Sequence, residues 1–250
     1  MSKKVLAICG KGGVGKTTVA AVMAQSLFRR PDLKALLVDA DPAGGLSLAL
    51  AIPVKRSLDQ VRQETIGEIK QGETDAKDLA KSLDYRLLEA LAERGNLALL
   101  SIGRPESVGC YCQVNTLLRE AIELLAGQFD LVVIDAEAGI EQVNRKVMSA
   151  VDQLILVSDP SLKGIRIAET IREVAQNISG LKNARLLLNK IRSAEEMSEI
   201  QGRTKVEIIG WIPEDETIRQ FDSQARSFLD LPAGPAVQAI TEAFRTAGII

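Results

Sequence analysis

Residues 10–18, with the sequence GKGGVGKTT, restrict the fold of this chain more than any other segment. They follow directly on the apolar run VLAIC at 5–9, precede a stretch of helical spacing, and fit the pattern G-x-x-x-x-G-K-[ST]. A glycine-rich loop between a strand and a helix lets backbone N–H groups surround a phosphate at the positive end of the helix dipole. We expect Lys16 to reach the β- and γ-phosphates and Thr17 to hold Mg²⁺. The loop residues expected to bind nucleotide are Gly10, Gly12, Gly13, Val14, Gly15, Lys16, Thr17 and Thr18.

Apolar runs alternate with segments of helical spacing along most of the chain. Runs that are apolar at almost every position are typical of strands covered on both faces, as in a parallel sheet. The alternation predicts right-handed βαβ units and therefore an α/β fold with a doubly wound, mostly parallel sheet and helices on both faces. The predicted strands are 5–9, 35–40, 97–102, 131–136, 153–159, 184–189 and 206–212, and the predicted helices include 16–30, 115–127, 163–178 and 235–247.

Residues 53–95 differ from this pattern because they are rich in charge, with eight Lys or Arg against nine Asp or Glu. They contain helix-like pieces, so we interpret them as a helical insertion between two core strands and the whole chain, 1–250, as one domain.

Ligands on open parallel sheets bind at the carboxyl ends of the strands, and the unusual residues of this chain fall there.

The composition excludes several classes of chemistry. The chain has no histidine, which rules out Ser-His-Asp hydrolysis and every metal site that contains His. Three cysteines cannot form a disulfide framework, and the N-terminal sequence has no secretory pattern, so we expect a cytoplasmic protein. A net charge of −2 and the lack of a long apolar run indicate neither a nucleic-acid partner nor a membrane.

The loop contains a second lysine, Lys11, early in the motif. With it, KGGVGKTT resembles the deviant Walker A loop of the MinD/ParA/nitrogenase-iron-protein class of P-loop ATPases. The resemblance implies that ATP and ADP are the nucleotides and that two copies of the chain form a dimer around them. It also implies that Lys11 crosses the dimer interface to the partner's nucleotide, as an arginine finger does.

Three aspartates at strand ends fit the same class. The resemblance implies that Asp41 orients or deprotonates the attacking water and that Asp39 supports the loop or the Mg²⁺ shell. Asp135, at the end of LVVIDA, is implied to bind the metal's water shell, with Ala138 and Gly139 forming a switch behind it. A single aspartate at a strand end is more often a helix cap, so these roles depend on the phosphate loop.

The base site has a weaker signal. Asn189 ends the run 184–189, and Pro213 follows 206–212. The resemblance implies that Asn189 hydrogen-bonds adenine and that Pro213 flanks the ring. The alternative for Asn189 is a helix N-cap.

Cys110 and Cys112 flank Tyr111 in the segment before the helix expected near Asn115. In an extended segment, side chains two residues apart point to the same side, so both thiols would face one way. Two thiolates do not complete a tetrahedral shell, but four from two symmetry-related chains bind Zn²⁺ or a square-planar Ni²⁺. A chance pair or a redox pair remains an alternative. Cys9, inside the first strand run, is expected to be a packing residue.

The phosphate loop together with GCYC and IDAEAGIEQVNR resembles the CooC-type nickel-insertion ATPases, a group that includes the AcsF relatives. The resemblance implies a homodimer, driven by ATP or metal, in which Cys110 and Cys112 bind Ni²⁺ (or Zn²⁺ in vitro) at the interface. It also implies that ATP hydrolysis drives the transfer of nickel into carbon monoxide dehydrogenase or acetyl-CoA synthase. A MinD/ParA-type positioning ATPase is the first alternative, although the C-terminal stretch carries little basic charge for a membrane helix. An electron-transfer protein like the nitrogenase iron protein is the second, although its cysteines come from separate segments.

Overall fold

The computed structural model describes residues 4–71, 84–104, 111–136, 147, 149–181 and 183–250. Eight strands in these residues form one sheet. They are β1 (Lys4–Gly10), β2 (Ala35–Ala40), β3 (Ala92–Arg94), β4 (Leu97–Ser101), β5 (Leu131–Ala136), β6 (Gln153–Ser158), β7 (Ala184–Ile191) and β8 (Ile208–Pro213). Their order across the sheet is β3-β4-β2-β5-β1-β6-β7-β8, and only β3 runs antiparallel to its neighbour.

Helices connect these strands and cover the sheet. They are α1 (Lys16–Phe28), α2 (Gly45–Leu50), α3 (Leu58–Gln71), α4 (Tyr111–Leu125), α5 (Leu162–Ser179), α6 (Ala194–Gln201), α7 (Glu216–Ser223) and α8 (Pro235–Thr246). Residues 84–89 are also helical, and Ala126–Gln128 and Phe228–Asp230 form short 3₁₀ turns. Among the described helices none is long and apolar enough to cross a membrane.

The two faces of the sheet form two separate apolar cores because successive strand side chains point to opposite sides. Along β1, Leu6 and Ile8 pack with α1, α2, α7 and α8, whereas Val5, Ala7 and Cys9 pack with α3, α4, α5 and α6. A central strand buried on both faces explains why its sequence is apolar at consecutive positions. The doubly wound sheet predicted from the sequence is therefore confirmed.

The strand order places a topological switch at β1. The chain leaves β1 for β2 on one side and later enters β6 on the other, with β5 and β6 as the two direct neighbours of β1. At such a switch point an open parallel sheet has a crevice outside the carboxyl ends of its strands, where ligands bind.

The structure also differs from the sequence prediction in places. The segment 53–95 contains α3 and the helical residues 84–89, but it also contains the edge strand β3, which the sequence analysis did not predict. The helix expected to begin near Asn115 begins at Tyr111. The final strand lies at Ile208–Pro213 instead of 206–212.

Candidate nucleotide-binding site

The glycine-rich loop connects β1 to α1 as its sequence predicts. Helix α1 begins at Lys16, and the residue before it, Gly15, has φ +93° and no side chain to cap the helix. No acidic residue lies in the first turn. The first N–H groups of a helix have no partner inside the helix. In α1 no side chain at the N-cap position accepts a hydrogen bond from them. The loop and helix therefore form a suitable site for a phosphate anion.

The glycines of the loop are required by close contacts and by backbone conformation. A Cβ at Gly10 would lie 2.2 Å from the backbone oxygen of Val157 on β6, and one at Gly15 would lie 2.4 Å from Nδ2 of Asn189 on β7. Gly13 has φ +78° but open space around its Cβ position. The loop is thus held tightly against the ends of β6 and β7 at two points, and Gly13 lies at its open side.

The other loop residues divide between anchoring and exposed positions. Val14 is fully buried in the core beneath α1 and anchors the loop. Lys16 is 8% exposed, and its Nζ donates to the backbone oxygen of Lys11 at 3.3 Å, so its ammonium lies over the loop. Thr17 and Thr18 are half-buried at the start of α1, and Gly12 is exposed.

Lys11 forms an ion pair within its own chain. Its Nζ lies 3.2 Å from Oδ2 of Asp159, just after β6. The other oxygen of this carboxylate, Oδ1, accepts hydrogen bonds from the backbone N–H of Ser161 at 3.1 Å and from its hydroxyl. Burial raises the pKa of Asp159, but the hydrogen bonds from Ser161 and Lys11 outweigh it and lower this pKa below its ordinary value. Asp159 therefore stays ionised beside Lys11.

Asp39 and Asp135 lie side by side, because β2 and β5 are parallel neighbours with these two residues in register. Both are buried, at 0% and 1% exposed. Asp39 accepts a hydrogen bond from the backbone N–H of Ser47 through Oδ2 at 3.1 Å. Its Oδ1 and both oxygens of Asp135 have no hydrogen-bond partner among the described residues.

Burial is the main cause of the unusual acidity of both aspartates. The pKa of Asp135 is raised to about 7, and burial is the largest cause of the rise. The nearby Thr17 hydroxyl opposes the rise without meeting hydrogen-bond geometry, and the charge of Asp39 adds to it. Burial also raises the pKa of Asp39 to about 6. Buried carboxylate oxygens without partners fit a hard divalent cation. Thr17, Asp39 and Asp135 therefore fit Mg²⁺, which would neutralise their repulsion and the charge of a bound phosphate.

Asp41 follows β2 beside this pair and is half-buried. Its Oδ1 accepts a hydrogen bond from the backbone N–H of Ala43 at 2.8 Å, which fixes the turn into α2. The carboxylate thus lies at the carboxyl end of β2, at the edge of the crevice. Its role in activating water stays a prediction.

Asn189 contacts the phosphate loop directly. Its Nδ2 donates to the backbone oxygen of Val14 at 2.8 Å, and its Oδ1 accepts from the N–H of Lys190 at 2.9 Å. Lys190 in turn donates from Nζ to the backbone oxygen of Gly13 at 3.0 Å. The structure thus brings Asn189 to the loop, and its predicted contact with adenine stays a prediction.

Pro213 ends β8 opposite Ile191 of β7, so it lies at the same carboxyl edge of the sheet as Asn189. The next turn is fixed by Asp215, which caps α7 through Oδ1 to the N–H groups of Thr217 and Ile218 and reaches the N–H of Ala236 through Oδ2. The loop after Pro213 is therefore well anchored. That Pro213 flanks the adenine ring stays a prediction.

The cysteine pair is only partly covered. Cys110 lies outside the described residues, as do Ala138 and Gly139. Cys112 lies in the first turn of α4, so the extended backbone assumed for it is wrong at this position. No group of three or more His, Cys, Asp or Glu side chains suited to a metal ion occurs in the described part of the chain. Cys9 is buried as expected, and burial raises the pKa of its thiol to about 12.

Two residues near the loop had no role in the sequence analysis. Asp159 pairs with Lys11, and Lys190 holds a loop carbonyl. Both are charged residues at the ends of strands, which is the one signal in the sequence that could have suggested them. Their partners lie 148 and 177 positions away, so only the strand order brings them to the loop.

Comparison with known proteins places this geometry in a family. The family model described as the CobQ/CobB/MinD/ParA nucleotide-binding domain matches residues 5–228. An uncharacterised ATP-binding protein of Methanocaldococcus jannaschii is 32% identical, with 91% of each chain covered. The carbon monoxide dehydrogenase accessory protein CooC of Rhodospirillum rubrum is 28% identical, with 90% of this chain and 89% of CooC covered. The structure of the MinD cell division protein of Aquifex aeolicus is similar with a TM-score of 0.67 and 26% identity, covering 97% of this chain and 95% of that one.

Proposed function

The chain belongs to the CobQ/CobB/MinD/ParA nucleotide-binding domain family, and on that premise we propose that it is a nickel-delivering ATPase. In this proposal two copies close around ATP and Mg²⁺ and share one nickel ion. ATP hydrolysis then reopens the dimer and releases the metal to carbon monoxide dehydrogenase or acetyl-CoA synthase during maturation. Nickel is the cargo, whereas Mg²⁺ belongs to the nucleotide site.

The ATPase part of the proposal is supported by the charges around the phosphate loop. Lys16 lies over the loop, and the Asp39–Asp135 pair offers Mg²⁺ carboxylate oxygens that have no hydrogen-bond partner in the described part of the chain. Asp41, at the edge of the same crevice, is proposed to orient the attacking water. Lys11 is proposed to leave Asp159 and contact the nucleotide of the partner subunit, as a cation supplied across an interface does in phosphoryl transfer.

The metal part of the proposal is carried by one observation, the Cys110-Tyr111-Cys112 sequence in a chain similar to CooC over 90% of its length. The chain has no histidine, so a soft-metal site must be built from thiolates and carboxylates. Two thiolates from each copy would complete a four-coordinate shell across a two-fold axis. Metal and ATP would then both favour the same dimer.

The second candidate is a MinD/ParA-type positioning ATPase, a nucleotide-driven dimer switch without metal delivery. The similarity to the MinD structure of Aquifex aeolicus favours it. The two candidates share the nucleotide site and differ in the role of the cysteines. Metal binding therefore discriminates between them.

Native mass spectrometry of the full chain with Ni²⁺ tests the metal part. The wild type is expected to bind one nickel per dimer, and the double variant Cys110→Ser/Cys112→Ser to bind none. Cys9→Ala is the matched control, because this buried thiol has a pKa of about 12 and stays protonated, so its loss should leave nickel binding unchanged. Nickel binding that is absent, or indifferent to the two cysteines, would favour the positioning ATPase.

The ATPase part is tested separately with Asp41→Ala. This variant is expected to bind ATP while hydrolysing it at least about 100-fold more slowly, because the group that orients water is missing. ATP should then hold it as a dimer in light scattering coupled to size exclusion. Hydrolysis at the wild-type rate would remove Asp41 from its proposed role whatever the result with nickel.

A further inference from the structure

The end of β7 is irregular where it faces the phosphate loop. Leu188 pairs with Trp211 of β8 and Ile191 pairs with Pro213, so three steps along β7 oppose two steps along β8. Lys190 lies in this bulge with φ +61°, a left-handed conformation that residues with a side chain seldom adopt. Bulges next to a site redirect side chains. Here the bulge directs both Asn189 and Lys190 to the loop.

The two side chains hold successive carbonyls of the loop. Nζ of Lys190 donates to the oxygen of Gly13 at 3.0 Å, and Nδ2 of Asn189 donates to the oxygen of Val14 at 2.8 Å. Each contact joins residues about 175 positions apart, so neither is a product of local chain geometry. Lys190 is exposed and has no ion pair in the described structure, so this carbonyl is the partner that orders its ammonium.

A trans peptide is planar, and its N–H and C=O point in opposite directions. A donor that fixes the Gly13 oxygen on the β7 side therefore turns the N–H of Val14 to the opposite side of the loop. In the same way, Asn189 fixes the direction of the Gly15 N–H. These two N–H groups belong to the segment of a G-x-x-x-x-G-K-[ST] loop that surrounds a phosphate.

We infer that Lys190 is a positioning residue of the phosphate site, whose ammonium holds the Gly13 carbonyl outward and so directs the Val14 N–H at the bound phosphate. This inference rests on the proposed nucleotide binding and adds separate roles for two neighbouring residues of β7. Lys190 orients the peptide between Gly13 and Val14, and Asn189 orients the peptide between Val14 and Gly15. The left-handed backbone at Lys190 is retained because it brings the ammonium to the loop.

The test uses Lys190→Met, which keeps the hydrocarbon stem and removes the ammonium. Calorimetry with Mg-ADP should show roughly 5- to 20-fold weaker binding, the effect of losing one hydrogen bond that orients a donor to a charged ligand. Lys190→Arg keeps a cation that can donate to the same carbonyl and should restore most of the affinity. The fluorescence of Trp211 during unfolding checks that all variants are folded.

Amide NMR separates positioning from a general loss of stability. On ADP binding to the wild type, the amide protons of Val14 and Gly15 should both move downfield. In Lys190→Met the Val14 shift should shrink while the Gly15 shift, governed by Asn189, is retained. In Asn189→Ala the Gly15 shift should shrink while the Val14 shift is retained.

Arg192→Met is the matched control, because Arg192 is an exposed cation two residues further on, with an ion pair to Glu214 at 3.9 Å. It should leave ADP affinity within about twofold, since surface ion pairs of this kind contribute little. Equal losses in Lys190→Met and Arg192→Met would overturn the inference in favour of simple charge attraction. Wild-type affinity and an unchanged Val14 shift in Lys190→Met would also overturn it. Failure of the wild type itself to bind ADP would overturn both the inference and the proposed ATPase.

Discussion

Gly15→Ala is the substitution for which the structure gives the clearest expected cost. The new Cβ would lie 2.4 Å from Nδ2 of Asn189, well inside van der Waals contact. Asn189 is buried and held at both ends of its amide, by the oxygen of Val14 and by the N–H of Lys190. The side chain therefore cannot move aside without breaking at least one of these bonds.

The magnitude follows from two contributions. A residue with a Cβ at φ +93° costs about 1–2 kcal/mol relative to glycine. A buried amide donor that loses its acceptor costs a further ~1–3 kcal/mol. We therefore expect Gly15→Ala to lower the free energy of unfolding by about 3 kcal/mol.

Gly13→Ala is the matched control, because Gly13 has φ +78° but nothing within 4 Å of its Cβ position. It should show only the backbone cost of about 1–2 kcal/mol. Gly10→Ala, where the obstacle is the backbone oxygen of Val157 at 2.2 Å, should be at least as damaging as Gly15→Ala. The three glycines thus give an expected order of stability loss.

Urea unfolding followed by the fluorescence of Trp211, the single tryptophan, measures these differences. A double variant isolates the contact: with Asn189→Ala already present, adding Gly15→Ala should cost no more than Gly13→Ala does. If Gly15→Ala and Gly13→Ala were equally stable in the presence of Asn189, the close packing of the loop against β7 would be refuted.

Two further substitutions have expected outcomes set by the structure. In Asp135→Asn, the protein without nucleotide or Mg²⁺ should gain up to ~4 kcal/mol at pH 8, because the pKa of Asp135 is raised from 3.8 to about 7 and each unit is worth ~1.4 kcal/mol. Between pH 4 and 7 the folded wild type holds a proton on Asp135 that the unfolded chain has lost, so the free energy of unfolding should fall as the pH rises. In the variant this dependence on pH should flatten, and only the smaller contribution of Asp39 should remain. A urea midpoint that varies with pH in the variant as it does in the wild type would contradict a buried charge at Asp135. Asp215→Ala should lower the free energy of unfolding by about 1–2 kcal/mol, because it removes the cap of α7. Glu216→Ala, an exposed neighbour, should change the same urea midpoint little, and equal effects of the two would contradict the capping role.

The sequence was most informative where one physical requirement acts over a whole element. β2 and β5 have the bounds predicted, 35–40 and 131–136, because both are central strands that are apolar along their length. β3 was missed because it is a three-residue edge strand, AER, whose charged residues are tolerated only at the sheet edge. The start of α4 was placed too late because Tyr111 to Val114 carry no capping signal before the apolar periodicity begins.

The features of the site also differ in how far they could be predicted from the sequence. The phosphate loop is local in sequence, so its position, its glycines and the start of α1 could be predicted from the motif alone. The pairing of Asp39 with Asp135 requires β2 and β5 to be neighbours, and the alternation of strands and helices does not determine strand order. The contacts of Lys11 with Asp159 and of Lys190 with Gly13 depend on β6 and β7 in addition. The loop contacts of Asp159 and Lys190 could therefore not be assigned before the topology was known.

The ion pair between Lys11 and Asp159 bears on the proposed dimer because a lysine that acts across an interface must first leave its own chain. The two side chains are 31% and 23% exposed, and ion pairs with this much solvent contact stabilise a protein by no more than about 1 kcal/mol. Breaking the pair is therefore a small cost. The triphosphate of a partner's nucleotide carries several negative charges and would lie in a closed interface, where charge-assisted hydrogen bonds are stronger than at an open surface. Asp159 would keep its hydrogen bonds from Ser161 after Lys11 leaves, so its carboxylate would still have hydrogen-bond donors. The pair thus places Lys11 beside the loop in one chain, and it is weak enough to be exchanged for a phosphate in the proposed dimer.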